Sequence, residues 1–141
     1  MILLDTNVLS ELMRPTPEQR VQEWLDRRPT EDFWVSAVTV AEISLGIALL
    51  PDGGRKAALA DVANQMFKED FVGRCLPFDQ GAAETYGEIV ASRTRRGRPI
   101  SVEDAQIAAI ATTNRLALAT RNVPDFEEID GLLTINPWHG Q

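Results

Sequence analysis

Three carboxylates open three apolar stretches of the chain: Asp5 after Ile2-Leu3-Leu4, Glu42 in Thr39-Val40-Ala41-Glu42, and Asp104 in Ser101-Val102-Glu103-Asp104. Counting three, four and seven residues onward gives Leu45, Gly46 and Leu49 from Glu42, and Ile107, Ala108 and Ala111 from Asp104. If these segments are helical, each acid tops an apolar stripe that faces a core. A carboxylate beside buried surface needs a partner, because an unpaired buried charge is costly. One hard divalent cation can partner several carboxylates at once. Mg2+ and Mn2+ take oxygen ligands and keep several waters, which leaves places for a phosphate and an attacking water. Each acid also has a local explanation. Asp5 can cap a helix that starts after it, and the other two fit a capping box in which a Ser or Thr is followed three residues later by an acid.

Other metal chemistry has little support. His139 and Cys75 are the lone histidine and the lone cysteine, and zinc needs more companions of those types; His139 reads as a tail residue. Cys75, in Cys75-Leu76-Pro77-Phe78, is expected to be a buried thiol acting as a small hydrophobe, with a reducing cytoplasmic setting as the simplest environment. The net charge of -7 argues against broad attraction to nucleic acid, although acids gathered around a cation would contribute to that total. Arg93, Arg95, Arg96 and Arg98 form a dense basic group, with Arg14 and Arg121 elsewhere.

The elements that must position these groups follow from the hydrophobic pattern. The run Ile2 to Leu4 reads as a buried strand feeding a helix that carries Val8, Leu9, Leu12 and Met13. A second helix carries Val21, Trp24 and Leu25 up to Pro29, and Phe33 to Ser36 reads as a strand. Helices are expected from Thr39 to Leu50, from Arg55 to about Asp70, from about Gly81 to Arg96 with Gly97 and Pro99 as stop signals, and from Ser101 to about Asn114. Strands are expected at Cys75 to Phe78, Leu116 to Thr120 and Leu132 to Ile135. Strands alternating with helices predict an α/β fold, a mainly parallel twisted sheet flanked by helices on both faces. In such sheets ligands collect beyond the carboxyl ends of strands where strand order reverses. Asp5 and the loop after Thr120 both stand at such ends.

Length and composition agree with an ordinary globular chain: 141 residues, 44% hydrophobic and 25% charged, with no repeat or linker, so residues 1–141 read as one domain. Asp5 interrupts the opening apolar run too early for a signal peptide, and no run approaches the roughly 18 to 20 apolar residues that a membrane span needs.

Four stretches, taken together and in order, resemble the PIN domain, specifically the VapC ribonuclease toxins of type II toxin–antitoxin systems and their FitB-like branch. They are Leu3-Leu4-Asp5-Thr6-Asn7-Val8-Leu9, Ser36 through Ile43, Gly97 through Ala109 with Asp104 inside, and Ala119-Thr120-Arg121-Asn122-Val123-Pro124-Asp125-Phe126. The resemblance implies a PIN-like α/β/α sandwich whose acids bind Mg2+ or Mn2+ and hydrolyse RNA, with a cognate antitoxin as partner and a homodimer as assembly. Asp5, Glu42 and Asp104 transfer directly as metal ligands. The family often has a fourth acid in the late loop, where this chain offers Asn122 and, three residues on, Asp125. On this reading Asp5 and Asp104 are the principal ligands, and Glu42 binds through water or helps deprotonate the nucleophile. Thr6 and Thr120 either orient the acids or serve as local cap hydroxyls. Arg14, Arg95, Arg96, Arg98 and Arg121 either grip RNA phosphates or are merely solvated.

Three rivals stand beside this reading. A haloacid-dehalogenase-type phosphatase needs a second acid two residues after the first, and Asn7 occupies that place. A dinucleotide-binding module needs a Gly-rich loop that is absent after the first strand. A non-catalytic interaction domain would make the acids caps and would assign Trp24, Trp34 and Trp138 to core or interface. The segment from Arg55 to Phe71, with Leu59, Val62, Met66 and Phe67, reads as core packing, with a partner surface as the alternative.

Overall fold

The computed structural model describes residues 1–139. Residues 140 and 141, the end of the span read as one domain, lie outside the described residues. Five strands form one sheet in the order β3-β2-β1-β4-β5, and every neighbouring pair is parallel. They are β1 (Ile2–Leu4), β2 (Phe33–Ser36), β3 (Cys75–Leu76), β4 (Ala117–Ala119) and β5 (Thr134–Ile135). Between them run α1 (Thr6–Leu12), α2 (Gln19–Asp26), α3 (Ala37–Ala48), α4 (Gly54–Gln65), α5 (Gln80–Arg95) and α6 (Val102–Thr113).

The alternation of β1 separates two cores. Ile2 and Leu4 point to one face with Val8, Leu9, Trp24 and Ile43. Leu3 points to the other with Ile107, Ile110 and Leu118. Helices α1 to α4 therefore cover one face and α5 and α6 the other, which makes the expected α/β/α sandwich. The chain first builds outward from β1 to β2 and β3, then returns to the opposite side of β1 with β4 and β5. Strand order thus reverses between β1 and β4, so the crevice beyond their carboxyl ends is the expected ligand position. Asp5 follows β1 directly, and its N–H donates to the Ala119 carbonyl of β4 at 2.9 Å.

Several local expectations change. Helix α3 starts at Ala37, two residues before Thr39, because the Ser36 hydroxyl caps it by accepting from the Thr39 N–H at 3.1 Å. Glu42 therefore lies one turn inside the helix and is not the acid of a capping box. Its presumed core stripe also fails. Leu45 and Leu49 are 59% and 75% exposed, while Ile43 is buried and Ile47 packs partly against the core. The Asp104 stripe holds, with Ile107, Ala108 and Ala111 all buried.

Cys75 is exposed, contrary to the expectation of a buried thiol, because β3 is a two-residue edge strand with nothing beyond it. Pro77 follows at once and has no N–H to extend the ladder, so the strand stops short of Phe78. In the Arg55 to Phe71 segment, α4 gives way to a π-helical turn at Met66–Asp70. Ala63 and Met66 are core, but Val62 is exposed, so the segment is only partly core.

Candidate active site

The three acids arrive from three different elements. Asp5 caps α1, accepting from the Thr6 N–H at 2.8 Å through Oδ1. Its Oδ2 accepts from the Thr120 hydroxyl at 2.8 Å, which ties the end of β1 to the end of β4. Asn7 adds a longer contact to the same oxygen at 3.3 Å and reaches Thr120 Oγ1 at 3.3 Å. Glu42 stands on α3, where the Thr6 hydroxyl donates to its Oε1 at 2.6 Å. That hydroxyl also meets the Thr39 hydroxyl at 2.9 Å. Asp104 lies in the first turn of α6, with its N–H donating to the capping Ser101 hydroxyl at 3.2 Å. Capping is therefore real for Asp5 and for Ser101, yet all three carboxylates line one open pocket of about 680 Å³.

The electrostatics reflect that convergence. Burial pushes Asp5 from the ordinary 3.8 up to about 6; the Thr120 and Thr6 hydrogen bonds oppose the rise, and the charges of Asp104 and Glu42 add to it. Asp104 is also raised, by burial first, against the Ser101 hydroxyl, with Asp125, Glu42 and Glu103 adding repulsion. Carboxylates that burden one another in this way are relieved by a shared cation. Among the described residues, no three acidic, histidine or cysteine side chains close in enough to enclose an ion by themselves. An open set of oxygen donors suits a hard cation that keeps part of its water shell. The donor set and its mutual repulsion thus fit a divalent ion held by few protein ligands.

The remaining predicted positions separate. Thr6 and Thr120 each hold one acid, as above. Asn122 lines the pocket and donates its N–H to Thr120 Oγ1 at 3.1 Å. Asp125, on a short 3-10 turn at Val123–Phe126, is exposed and outside the pocket lining, though its charge reaches Asp104. Arg14 and Arg121 line the pocket. Arg95 is exposed at the end of α5. Arg96 and Arg98 turn to the late loop, donating to the carbonyls of Glu128 at 3.2 Å and Pro124 at 3.2 Å, and Arg98 also pairs with Glu127. Arg93 is buried and donates to three carbonyls, those of Arg98 at 2.8 Å, Asp125 at 2.9 Å and Glu127 at 3.0 Å. Its charge serves the loop that carries Asn122 and Asp125. His139 is exposed in a final 3-10 turn.

The PIN-domain model matches residues 2–132, nearly all of the described chain. The chain belongs to the PIN-domain family. Among PIN proteins it is 45% identical to toxin FitB of Neisseria gonorrhoeae over 139 residues, 99% of each chain. It is 38% identical to the VapC ribonuclease Y4jK of Sinorhizobium fredii, over 98% of each chain. Of solved structures, FitAcB from Neisseria gonorrhoeae superposes with a TM-score of 0.91 at 45% identity, over 99% of each chain. A toxin-antitoxin complex from Klebsiella pneumoniae gives a TM-score of 0.70 at 26% identity, over 97% of this chain and 98% of that one. PIN ribonucleases generally use divalent metal ions, in keeping with the donor set.

Sequence reasoning missed several residues of this PIN site. Glu11 is buried at the pocket wall, accepting from Arg14 Nη1 at 3.1 Å and from the Glu18 N–H at 3.0 Å. Its signal was available, since Glu11 and Arg14 lie three residues apart at the end of a predicted helix. Thr39, Arg55 and Trp138 reach the site only through tertiary packing, and local pattern gives no sign of it.

Proposed function

We propose that this PIN domain is the toxin of a toxin–antitoxin pair and a Mg2+- or Mn2+-dependent ribonuclease, hydrolysing RNA phosphodiester bonds in the pocket of Asp5, Glu42 and Asp104. The observation that carries the reading is the convergence of three acids, from the end of β1, from α3 and from α6, at the point where strand order reverses. The named VapC ribonuclease among its relatives supplies the reaction.

In this mechanism Asp5 and Asp104 hold the ion, with Asp5 oriented by Thr120 and Thr6. A divalent ion bound there would supply positive charge for the reacting phosphate and for acidifying water. Glu42 would receive the proton of the attacking water; the new P–O bond forms as the bond to the leaving ribose oxygen breaks, and that oxygen takes a proton from solvent water. Thr6 occupies Oε1 of Glu42, which leaves Oε2 to accept the attacking water's proton within hydrogen-bond reach. Asn122 lines the pocket and orients water or phosphate, and Asp125 contributes charge from outside. Calorimetric titration with Mn2+ tests the ligand set. Wild-type protein should show one saturable binding event that Asp5→Asn and Asp104→Asn each abolish. Equal binding by all three proteins would instead favour the cap-only interaction domain.

The antitoxin partner is supported by the toxin-antitoxin complex among the similar structures. An apolar groove of about 670 Å³ beside the acids, between α1, α3 and α4 and lined by Met13, Ile47, Leu50, Leu59 and Val62, suits it as a docking place. A homodimer is supported by α3 and its cap, where Ala41, Leu45, Ala48 and Leu49 are all exposed; apolar side chains on a helix ordinarily face a core. No helix among the described residues is long and apolar enough to cross a membrane. We place the protein in the cytoplasm, with its RNA.

A further inference from the structure

Four carboxylates, Asp5, Glu11, Glu42 and Asp104, line the pocket that must receive a polyanion. The cations on its wall are Arg14, Arg55 and Arg121, and they are not equally available. Arg14 is engaged by buried Glu11 at 3.1 Å. Arg121 is held differently. Its Cζ lies over the Trp138 ring, 5.0 Å from the centroid, and among the described residues its guanidinium has no ion pair. Its main chain is fixed on both sides, the N–H donating to Asn7 Oδ1 at 3.2 Å and the carbonyl accepting from Asn136 Nδ2 at 3.5 Å. Trp138 is fixed in turn. It is 9% exposed, its N–H donates to Asn136 Oδ1 at 2.9 Å, and its carbonyl accepts from Arg20 at 3.4 Å.

Stacking and ion pairing leave a guanidinium in different states. A carboxylate partner occupies the N–H donors, whereas an aromatic face attracts the cation through its π-system and leaves the in-plane donors free. A guanidinium so placed is orientated beforehand and keeps a fork that matches the oxygens of a phosphate. It shares one pocket with the acids, so a phosphate it gripped would belong to the strand entering that pocket.

We propose that Arg121 is an RNA-contacting cation of this site, taking a backbone phosphate in a bidentate grip, and that Trp138 is the positioning residue that presents it. The inference rests on the ribonuclease reading, since it supplies that reaction's substrate contact. Arg121 itself touches the substrate; Trp138 acts only through Arg121.

The test is fluorescence anisotropy of a labelled single-stranded RNA of mixed sequence, with the full chain in an Asp104→Asn background that keeps it from cleaving the probe, in EDTA and over a range of salt. Arg121→Gln should weaken binding about tenfold, as expected for losing charge-assisted hydrogen bonds, and should make the slope of log K against log salt shallower by about 0.7. Arg121→Lys should restore the slope but not the affinity, because it keeps charge and loses the fork. Trp138→Leu should weaken binding alone and add nothing to Arg121→Gln. If Trp138→Leu does not fold, Trp138→Phe keeps an aromatic face and should bind within about twofold of the parent, given that the ring still attracts the cation. Unchanged affinity and slope in Arg121→Gln would overturn the contact. A Trp138 effect of equal size with and without Arg121 would overturn the positioning role, as would a Trp138→Phe protein that folds but binds no better than Arg121→Gln. The reading beneath is checked separately by wild-type hydrolysis of the same RNA in Mn2+. Arg121-dependent binding without hydrolysis would count against the ribonuclease alone.

Discussion

Asp5 is a carboxylate whose surroundings oppose its own charge. With its pKa raised from 3.8 to about 6, the folded metal-free protein keeps a proton that the unfolded chain has already lost between those values. Stability must therefore fall as pH rises through that window, by roughly 3 kcal/mol if Asp5 acts alone. The raised Asp104 works in the same direction. This is opposite to the ordinary salt-bridged acid, and thermal melting of chelator-treated protein from about pH 4 to 7 checks it. Asp5→Asn should flatten the dependence and melt no lower than wild type at neutral pH, while losing RNA cleavage. Protons compete with the cation for these acids, so cleavage should fall as pH drops, and raising the Mn2+ concentration should move that fall to lower pH. Thr120→Val removes the donor that holds Asp5 down and should move that acid limb to higher pH; an unmoved limb would detach Asp5 from the rate. At this scale Asp104 was conspicuous because it tops an apolar run that the fold buries, whereas the run after Glu42 faces outward. Thr39 and Trp138 were not conspicuous, because a hydroxyl or an indole becomes part of a site only when the fold brings it there.

The elements explain why some local readings held and others did not. Ser101 and Asp104 follow the capping pattern in both sequence and structure, whereas in α3 two hydroxyls compete for the cap and Ser36 takes it ahead of Thr39. In the folded helix Glu42 stands beside Thr6, and Leu45 and Leu49 face outward. Periodicity alone found a helix there but not which side faced the sheet, since nearly every side chain of α3 is apolar. The arginines near the end of α5 were legible as a charge cluster, but the burial of Arg93 was not. Arg93 joins α5 to the loop bearing Asn122 and Asp125 through three carbonyls. Arg93→Ala should strand those acceptors and destabilise the fold by about 3 kcal/mol or more, given the cost of unsatisfied buried groups. Urea unfolding measures it, and a loss below about 1 kcal/mol, the worth of a single ordinary hydrogen bond, would mean that the loop is held by other contacts.

Across the whole molecule, the parallel sheet and its flanking helices were readable from alternation of strand and helix, but strand order was not. The order β3-β2-β1-β4-β5 gives the acids their meaning, because it sets β1 beside β4 and puts Asp5 against Thr120. A net charge of -7 is compatible with RNA as substrate when cations and arginines are concentrated at one pocket. The exposed side of α3 belongs to this scale as well. Leu49→Glu should turn a dimer into a monomer in sedimentation velocity while leaving the melting of the chain little changed, and a protein monomeric before the substitution would remove the homodimer. On the proposed reading, the carboxylate pocket hydrolyses RNA with a bound divalent ion. The most direct test is incubation of the purified protein with total cellular RNA in Mn2+ or Mg2+, with and without EDTA, followed by mapping of new RNA ends. The account predicts discrete new ends that disappear with EDTA and with Asp5→Asn or Asp104→Asn. The same ends persisting in EDTA, or in either variant at the wild-type rate, would contradict it.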